Sequence, residues 1–189
     1  MRDVVALVFN YSLNGLLADP DTDFWRFAFE RLDEHGGPDH DAETLEFLSS
    51  ASAHVMGRGA YQGFEHTFAV STTNPWTPIM NAGNKVVLSR TLQTAGWENT
   101  TIASGDTTEE IDRLRQGGDG HIVVWGGVRL WQSLMRLDLI DELRISMYPF
   151  VANSGTRLFE DVPGDYGWTL VSSPADEGGV IELRYRRRR

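Results

Sequence analysis

The sequence predicts an α/β fold: a central, mostly parallel sheet with helices on both faces and antiparallel strands at its C-terminal end. Three observations carry that prediction. Short runs rich in β-branched residues recur at 3–10, 54–56, 85–89, 100–103, 122–125 and 144–148. Most are separated by stretches whose apolar residues fall three and four apart, the spacing of one helix face. Strands that alternate with helices form a parallel sheet, whereas the last two runs, near Trp168–Ser172 and Val180–Arg186, follow each other with no helix between them.

Composition bounds the rest. At 189 residues, 41% hydrophobic and 23% charged, the chain is expected to bury one core as a single domain over 1–189. Cysteine is absent, which excludes a disulfide scaffold, a thiolate nucleophile and cysteine-ligated zinc. The N-terminal apolar run is too short for a signal peptide, and no stretch reaches the length of a membrane span, so a cytoplasmic protein is expected. The formal net charge is −10 although the last four residues are all Arg. Such a body repels a phosphate backbone, so no nucleic-acid partner is expected, and Arg186–Arg189 reads as a solvated tail.

Taken in order, residues 3–10 form the first strand. Ser12-Leu-Asn-Gly15 turns the chain, since Asn and Gly tolerate positive φ, and Leu16-Leu17-Ala18 returns it. Asp19-Pro-Asp-Thr-Asp23 precedes Phe24 and Trp25, and an Asp or Thr here caps a helix over about 23–33. His35 and His40 lie in a loop and lack the spacing of a metalloprotease motif, and no metal site is expected. A second helix runs from Asp41 to about Ala51. His54-Val-Met leads into Gly57-Arg-Gly-Ala-Tyr61, a strand-glycine-helix junction. Phe64–Gly83 reads as irregular, with Asn74-Pro-Trp-Thr-Pro78 barring a regular helix, and as a candidate substrate lid. Strands at 85–89 and 100–103 follow. Asp106, with Glu109 three residues on, caps a helix that Gly117-Gly118 ends.

The stretch from His121 to Met135 is the most informative. A β-branched and aromatic run, Ile122 to Trp125, meets Gly126-Gly127, after which Val128, Leu130, Trp131 and Leu134 take up helical spacing. Two residues without a Cβ either make a tight turn or let a ligand approach the backbone, where the free amides of a helix start favour a phosphate. Strand ends at Gly57-Arg58 and Ser89-Arg90 offer similar groups, and in an open α/β sheet ligands bind beyond the carboxyl ends of the strands. Arg suits phosphate through its fork of donors.

Seven segments recur in order over nearly the whole chain: Ser12-Leu-Asn-Gly15, Met56-Gly-Arg-Gly-Ala-Tyr61, Lys85-Val-Val-Leu-Ser-Arg90, Trp97-Glu-Asn99, Gly126-Gly-Val-Arg-Leu130, Leu139-Ile-Asp-Glu-Leu143 and Pro149-Phe-Val-Ala-Asn-Ser-Gly-Thr-Arg-Leu-Phe159. In these the chain resembles the dihydrofolate reductase-like fold family, in the group that includes the reductase domain of the riboflavin-biosynthesis deaminase-reductase. The resemblance implies NADPH binding across the strand ends. It puts Gly57, Arg58, Ser89 and Arg90 towards the adenosine and 2′-phosphate, and Gly126, Gly127, Val128, Arg129 and Leu130 at the pyrophosphate. Asn10, Ser12 and Leu17 would face the nicotinamide, although Ser12 equally suits a turn cap and Leu17 the core. Ala60 stands where the family usually has Thr, which removes one hydroxyl contact to phosphate and leaves the backbone amides.

Hydride transfer to a C=N or C=O bond needs a proton, and Asp21 and Asp23 are the nearby acids, with capping or exposure as their other reading. The implied substrate is a small heterocyclic or carbonyl compound, pterin-like or ribosylaminopyrimidine-like, and the implied assembly a homodimer. Two other classes stand beside this one: a nucleotide-binding relative without turnover, and an interaction module using a Trp-rich surface and the Arg tail.

Overall fold

The structure is a computed structural model that describes residues 1–28, 42–160, 162 and 164–189. Its strands are β1 (Val4–Ser12), β2 (Leu16–Leu17), β3 (Ala51–Gly57), β4 (Lys85–Leu88), β5 (Thr100–Ala103), β6 (His121–Val124), β7 (Glu142–Tyr148), β8 (Thr156–Arg157), β9 (Trp168–Ser172) and β10 (Ile181–Arg187). Residues 23–28 are helical and are labelled α1. It is followed by α2 (Ala42–Ser49), α3 (Arg58–Phe68), α4 (Thr77–Ala82), α5 (Thr107–Arg115) and α6 (Val128–Arg136). The expected loop histidines, His35 and His40, lie outside the described residues.

The strands form one sheet in the order β5-β4-β3-β6-β1-β7-β10-β9. Every pairing from β5 to β7 is parallel, and β10 joins β7 and β9 antiparallel. The fold is therefore the α/β class expected, with its antiparallel strands at the C-terminal end. Alternation along each strand sorts side chains between two cores. Ile122 and Val124 join Val4, Ala6 and Val8 under α5 and α6, while Val123 and Trp125 join Leu7 and Met56 under α2, α3 and α4.

Two expectations are corrected. Phe64–Gly83 is irregular only over 69–76: α3 continues to Phe68, and Thr77–Ala82 is helical with Pro78 in its first turn, where a missing N–H breaks no bond. Phe68, Trp76 and Met80 from this segment are buried in the second core. Nor are the C-terminal arginines a solvated tail. Arg186 pairs with Asp3 and Glu142, Arg187 with Asp138, and Arg189 with Asp141, while Arg188 donates to the Thr169 hydroxyl. Asp141 and Glu142 are buried at the start of β7, and Arg115 and Arg144 complete their pairing. A buried carboxylate must be paired, and the last residues of β10 help to do this. Trp76, Trp97, Trp125 and Trp131 are likewise buried rather than displayed, so the interaction-module alternative loses both of its premises.

Candidate functional site

Parallel pairing brings the carboxyl ends of β3, β4 and β6 to one rim. Gly57 ends β3 and caps α3, and Gly127 caps α6, neither with a side-chain hydrogen bond to the helix. The Gly57 N–H donates to the Gly126 carbonyl at 3.0 Å, so the two junctions meet. Both helices therefore begin side by side with first-turn amides that no side chain caps. The third helix on this rim differs: Asp106 caps α5, accepting from the amides of Thr108 and Glu109 at 2.9 and 3.2 Å. A carboxylate already occupies the place an anion would take.

The glycines of the turn have separate duties. Gly126 has φ +93°, and a Cβ there would lie 2.5 Å from the Trp131 ring. Gly127 has φ −69°, and a Cβ on it, as on Gly59, would meet nothing within 4 Å. Gly126 is thus needed by the fold, while Gly127 and Gly59 leave open space in front of the two helix starts. Val128 and Leu130 are half-buried beside Gly127, and Arg129 is exposed.

Arg58 and Arg90 are exposed on the neighbouring strand ends. Arg58 Nη1 donates to the Thr91 hydroxyl at 3.1 Å. The Ser89 hydroxyl accepts from the amides of Thr91 and Leu92 at 3.2 and 3.0 Å, closing the turn that carries Arg90. Three guanidiniums, Arg58, Arg90 and Arg129, thus surround the rim of an otherwise acidic protein. Thr91 was not legible in the sequence, since nothing in its spacing ties it to Arg58.

At the other end of the rim, β2 pairs with β1 beyond the point where β6 stops. Asn10 has φ +58° and its carbonyl accepts from Ala18 N–H at 3.0 Å. Ser12 is fully buried, its hydroxyl donating to Asn14 and accepting from Leu16 N–H, both at 2.9 Å. Leu17 belongs to the first core. Asp21 and Asp23 are both exposed, and Asp23 is paired with Arg26. The cap of α1 is Thr22, whose hydroxyl accepts from Trp25 N–H at 3.1 Å. Beside the glycine turn lies an aromatic group: Phe9, Trp76 and Phe64 ring centres lie 5.8, 5.5 and 5.3 Å from that of Trp125.

Two buried bases support this rim from below. His54 is 1% exposed and accepts from Trp125 Nε1–H at 2.9 Å. Burial, with the Lys85 charge beside it, lowers its pKa to about 4. Lys85 is fully buried, and its ammonium donates to the carbonyls of Met80 and Gly83 at 2.7 and 2.8 Å, closing the end of α4. Burial lowers its pKa to about 8.

Away from this rim, a cleft of about 530 Å³ opens on the face of β7 and β10 that α6 leaves uncovered. Met147, Leu183, Tyr185, Trp168 and Phe159 line it, and no residue of the glycine turns does.

Known proteins agree with this architecture. The model of the RibD C-terminal domain matches residues 4–181. Among curated proteins of Bacillus subtilis (strain 168), the uncharacterised protein YyaP is 26% identical over 152 residues, 78% of this chain and 80% of that one. The uncharacterised protein YwjB is 25% identical over 190 residues, 99% of each chain. A solved structure from Shewanella sp. PV-4, provisionally named a riboflavin biosynthesis protein, superposes with a TM-score of 0.76 at 22% identity, covering 99% of both chains. A pyrimidine reductase-like protein from Corynebacterium diphtheriae superposes with a TM-score of 0.61 at 14% identity, over 100% of this chain and 92% of that one. With the family model spanning nearly all of its strands and helices, the chain belongs to the RibD C-terminal domain family, whose fold is that of dihydrofolate reductase.

Proposed function

We propose that the protein is an NADPH-dependent reductase that transfers a hydride to a small heterocyclic or carbonyl substrate. The observation that carries this reading is the meeting of two uncapped helix starts at Gly57 and Gly127, with open space where Gly59 and Gly127 lack a Cβ. Such a cradle fits a pyrophosphate, the widest anion in the cofactor. Arg58, held by Thr91, and Arg90 suit the 2′-phosphate. Bound there, NADPH supplies the hydride. Asn10 and Leu17 would border the nicotinamide end, and Ser12 holds the turn between them. Asp21 and Asp23 are the candidate acids, and because both face solvent the proton is drawn from water through either. Their exposure also favours a second reading, a member of the family that binds NADPH without turnover.

Titration of the protein's tryptophan fluorescence with NADPH and with NADH tests the proposal. Saturable quenching is expected, with NADPH bound about tenfold or more tightly, since one charge-assisted contact to the 2′-phosphate is worth that much. Absence of binding by either cofactor would sink the reductase reading, and oxidation of NADPH against candidate substrates separates it from the second.

The uncovered face of β7, β10 and β9 supports the homodimer. Leu170 and Val171 of the edge strand are 50% and 51% exposed, and a second copy would cover them. No helix among the described residues is long and apolar enough to cross a membrane.

A further inference from the structure

From Val8 to Tyr11, β1 takes three steps where β7 takes two, from Ile145 to Met147. The extra residue makes a bulge. Val8 and Tyr11 both face the first core while Phe9 packs against the second, which strict alternation forbids, so Asn10 is the inserted residue. Its φ of +58° agrees. β1 and β6 keep step from Val4–Ile122 to Ala6–Val124, and the bulge therefore lies just beyond the level of Gly126, beside the two helix starts. Four residues other than glycine hold positive φ among the described residues. Asn99 and Asp138 use their side chains within the protein, on the Asn81 carbonyl and on Arg187, and Asp21 is exposed. Asn10 differs from all three: it is half-buried, and its carboxamide has no hydrogen-bond partner among the described residues. Bulges and strained residues gather where a side chain is aimed at a ligand.

We propose that Asn10 determines specificity at the reactive end of the cofactor: its side-chain carboxamide pairs with the carboxamide of the nicotinamide, the N–H of each donating to the carbonyl of the other. The proposal rests on the reductase reading and adds to it the contact that recognises the nicotinamide. The direction follows from the sheet order. Arg58 and Arg90 follow β3 and β4, and β1 lies on the far side of β6. A cofactor with its pyrophosphate at the glycine turn and its 2′-phosphate at the arginines carries its nicotinamide to β1. Asparagine both donates and accepts, as the nicotinamide carboxamide does. A methyl in place of the cofactor's amide nitrogen leaves the Asn10 oxygen without a donor, which costs affinity.

Titration of the parent and of Asn10→Gly with NADP⁺ and with its acetylpyridine analogue, in which a methyl replaces the carboxamide nitrogen, tests this. The parent is expected to bind NADP⁺ about tenfold or more tightly than the analogue, and Asn10→Gly to bind the two about equally. Glycine takes φ +58° without strain, so the variant should melt near the parent. The cofactor fragment 2′-phospho-ADP-ribose, which has the phosphates without the nicotinamide, should bind both proteins alike. Equal binding of NADP⁺ and the analogue by the parent, a preference undiminished in Asn10→Gly, a clearly lowered melting temperature in that variant, or its weakened binding of the fragment would each overturn the proposal. A parent that binds NADP⁺ and gives one of those results keeps the reductase reading, whereas a parent that does not bind NADP⁺ at all counts against that reading and takes this proposal with it.

Discussion

Gly126 and Gly127 are adjacent and chemically identical, yet the backbone asks different things of them. At Gly126 the positive φ and the Trp131 ring exclude any side chain, and at Gly127 neither does. Gly127→Val is therefore expected to fold with a melting temperature near that of the parent and to lose NADPH binding, because its methyls fill the space before the α6 amides. Gly126→Val is expected to fail to fold. Circular dichroism melts alongside cofactor titration check both, and unchanged affinity in a folded Gly127→Val would reduce that residue to a turn former. The sequence shows that a strand meets a helix through two glycines. It does not show which of them is structural, because that depends on where the Trp131 ring folds back.

Helix starts are where the chain divides its labour among elements. Three helices begin on the same rim, and only α5 carries its own anion, the Asp106 cap. Asp106→Ala should cost about 1 kcal/mol of stability, measured by urea unfolding, and leave NADPH affinity unchanged. A matching loss of affinity would mean that the cofactor reaches α5 after all. This cap was legible, since Asp106 and Glu109 stand at capping-box spacing before Ile111. The helix over Thr77–Ala82 was not. Pro75 and Pro78 suggested a break, but Pro78 falls in a first turn, and the far end is closed by Lys85, a partner from a different element.

For the molecule as a whole, the parallel pairing of β5 to β7 follows from local strand and helix periods, whereas the order of the strands and the closure of the sheet by charge do not. The arginines of 186–189 look like a tail until Asp3, Asp138, Asp141 and Glu142 are brought beneath them. Stability should also depend on acid. His54 titrates near 6.5 when unfolded and about 4 when folded, so the unfolded chain takes up its proton first and stability falls as pH drops through that window. The loss between about pH 7 and about pH 5 should approach 2 kcal/mol. Burial also lowers His121, which acts in the same sense. Urea unfolding across this range checks the sign, and His54→Gln, which can still accept from Trp125, should flatten the curve. A parent whose stability rises on acidification would contradict the assignment of His54 as a buried neutral base.

Lys85 is the only lysine in the chain, and cysteine is absent. Its amine is sealed beneath α4, over the Trp97 ring. Apart from the α-amino group, the folded surface therefore offers electrophiles neither an amine nor a thiol, and its positive charge is carried by guanidiniums that acetylation cannot remove. A cysteine introduced anywhere on that surface would be its sole thiol, and a thiol-specific label would go there alone.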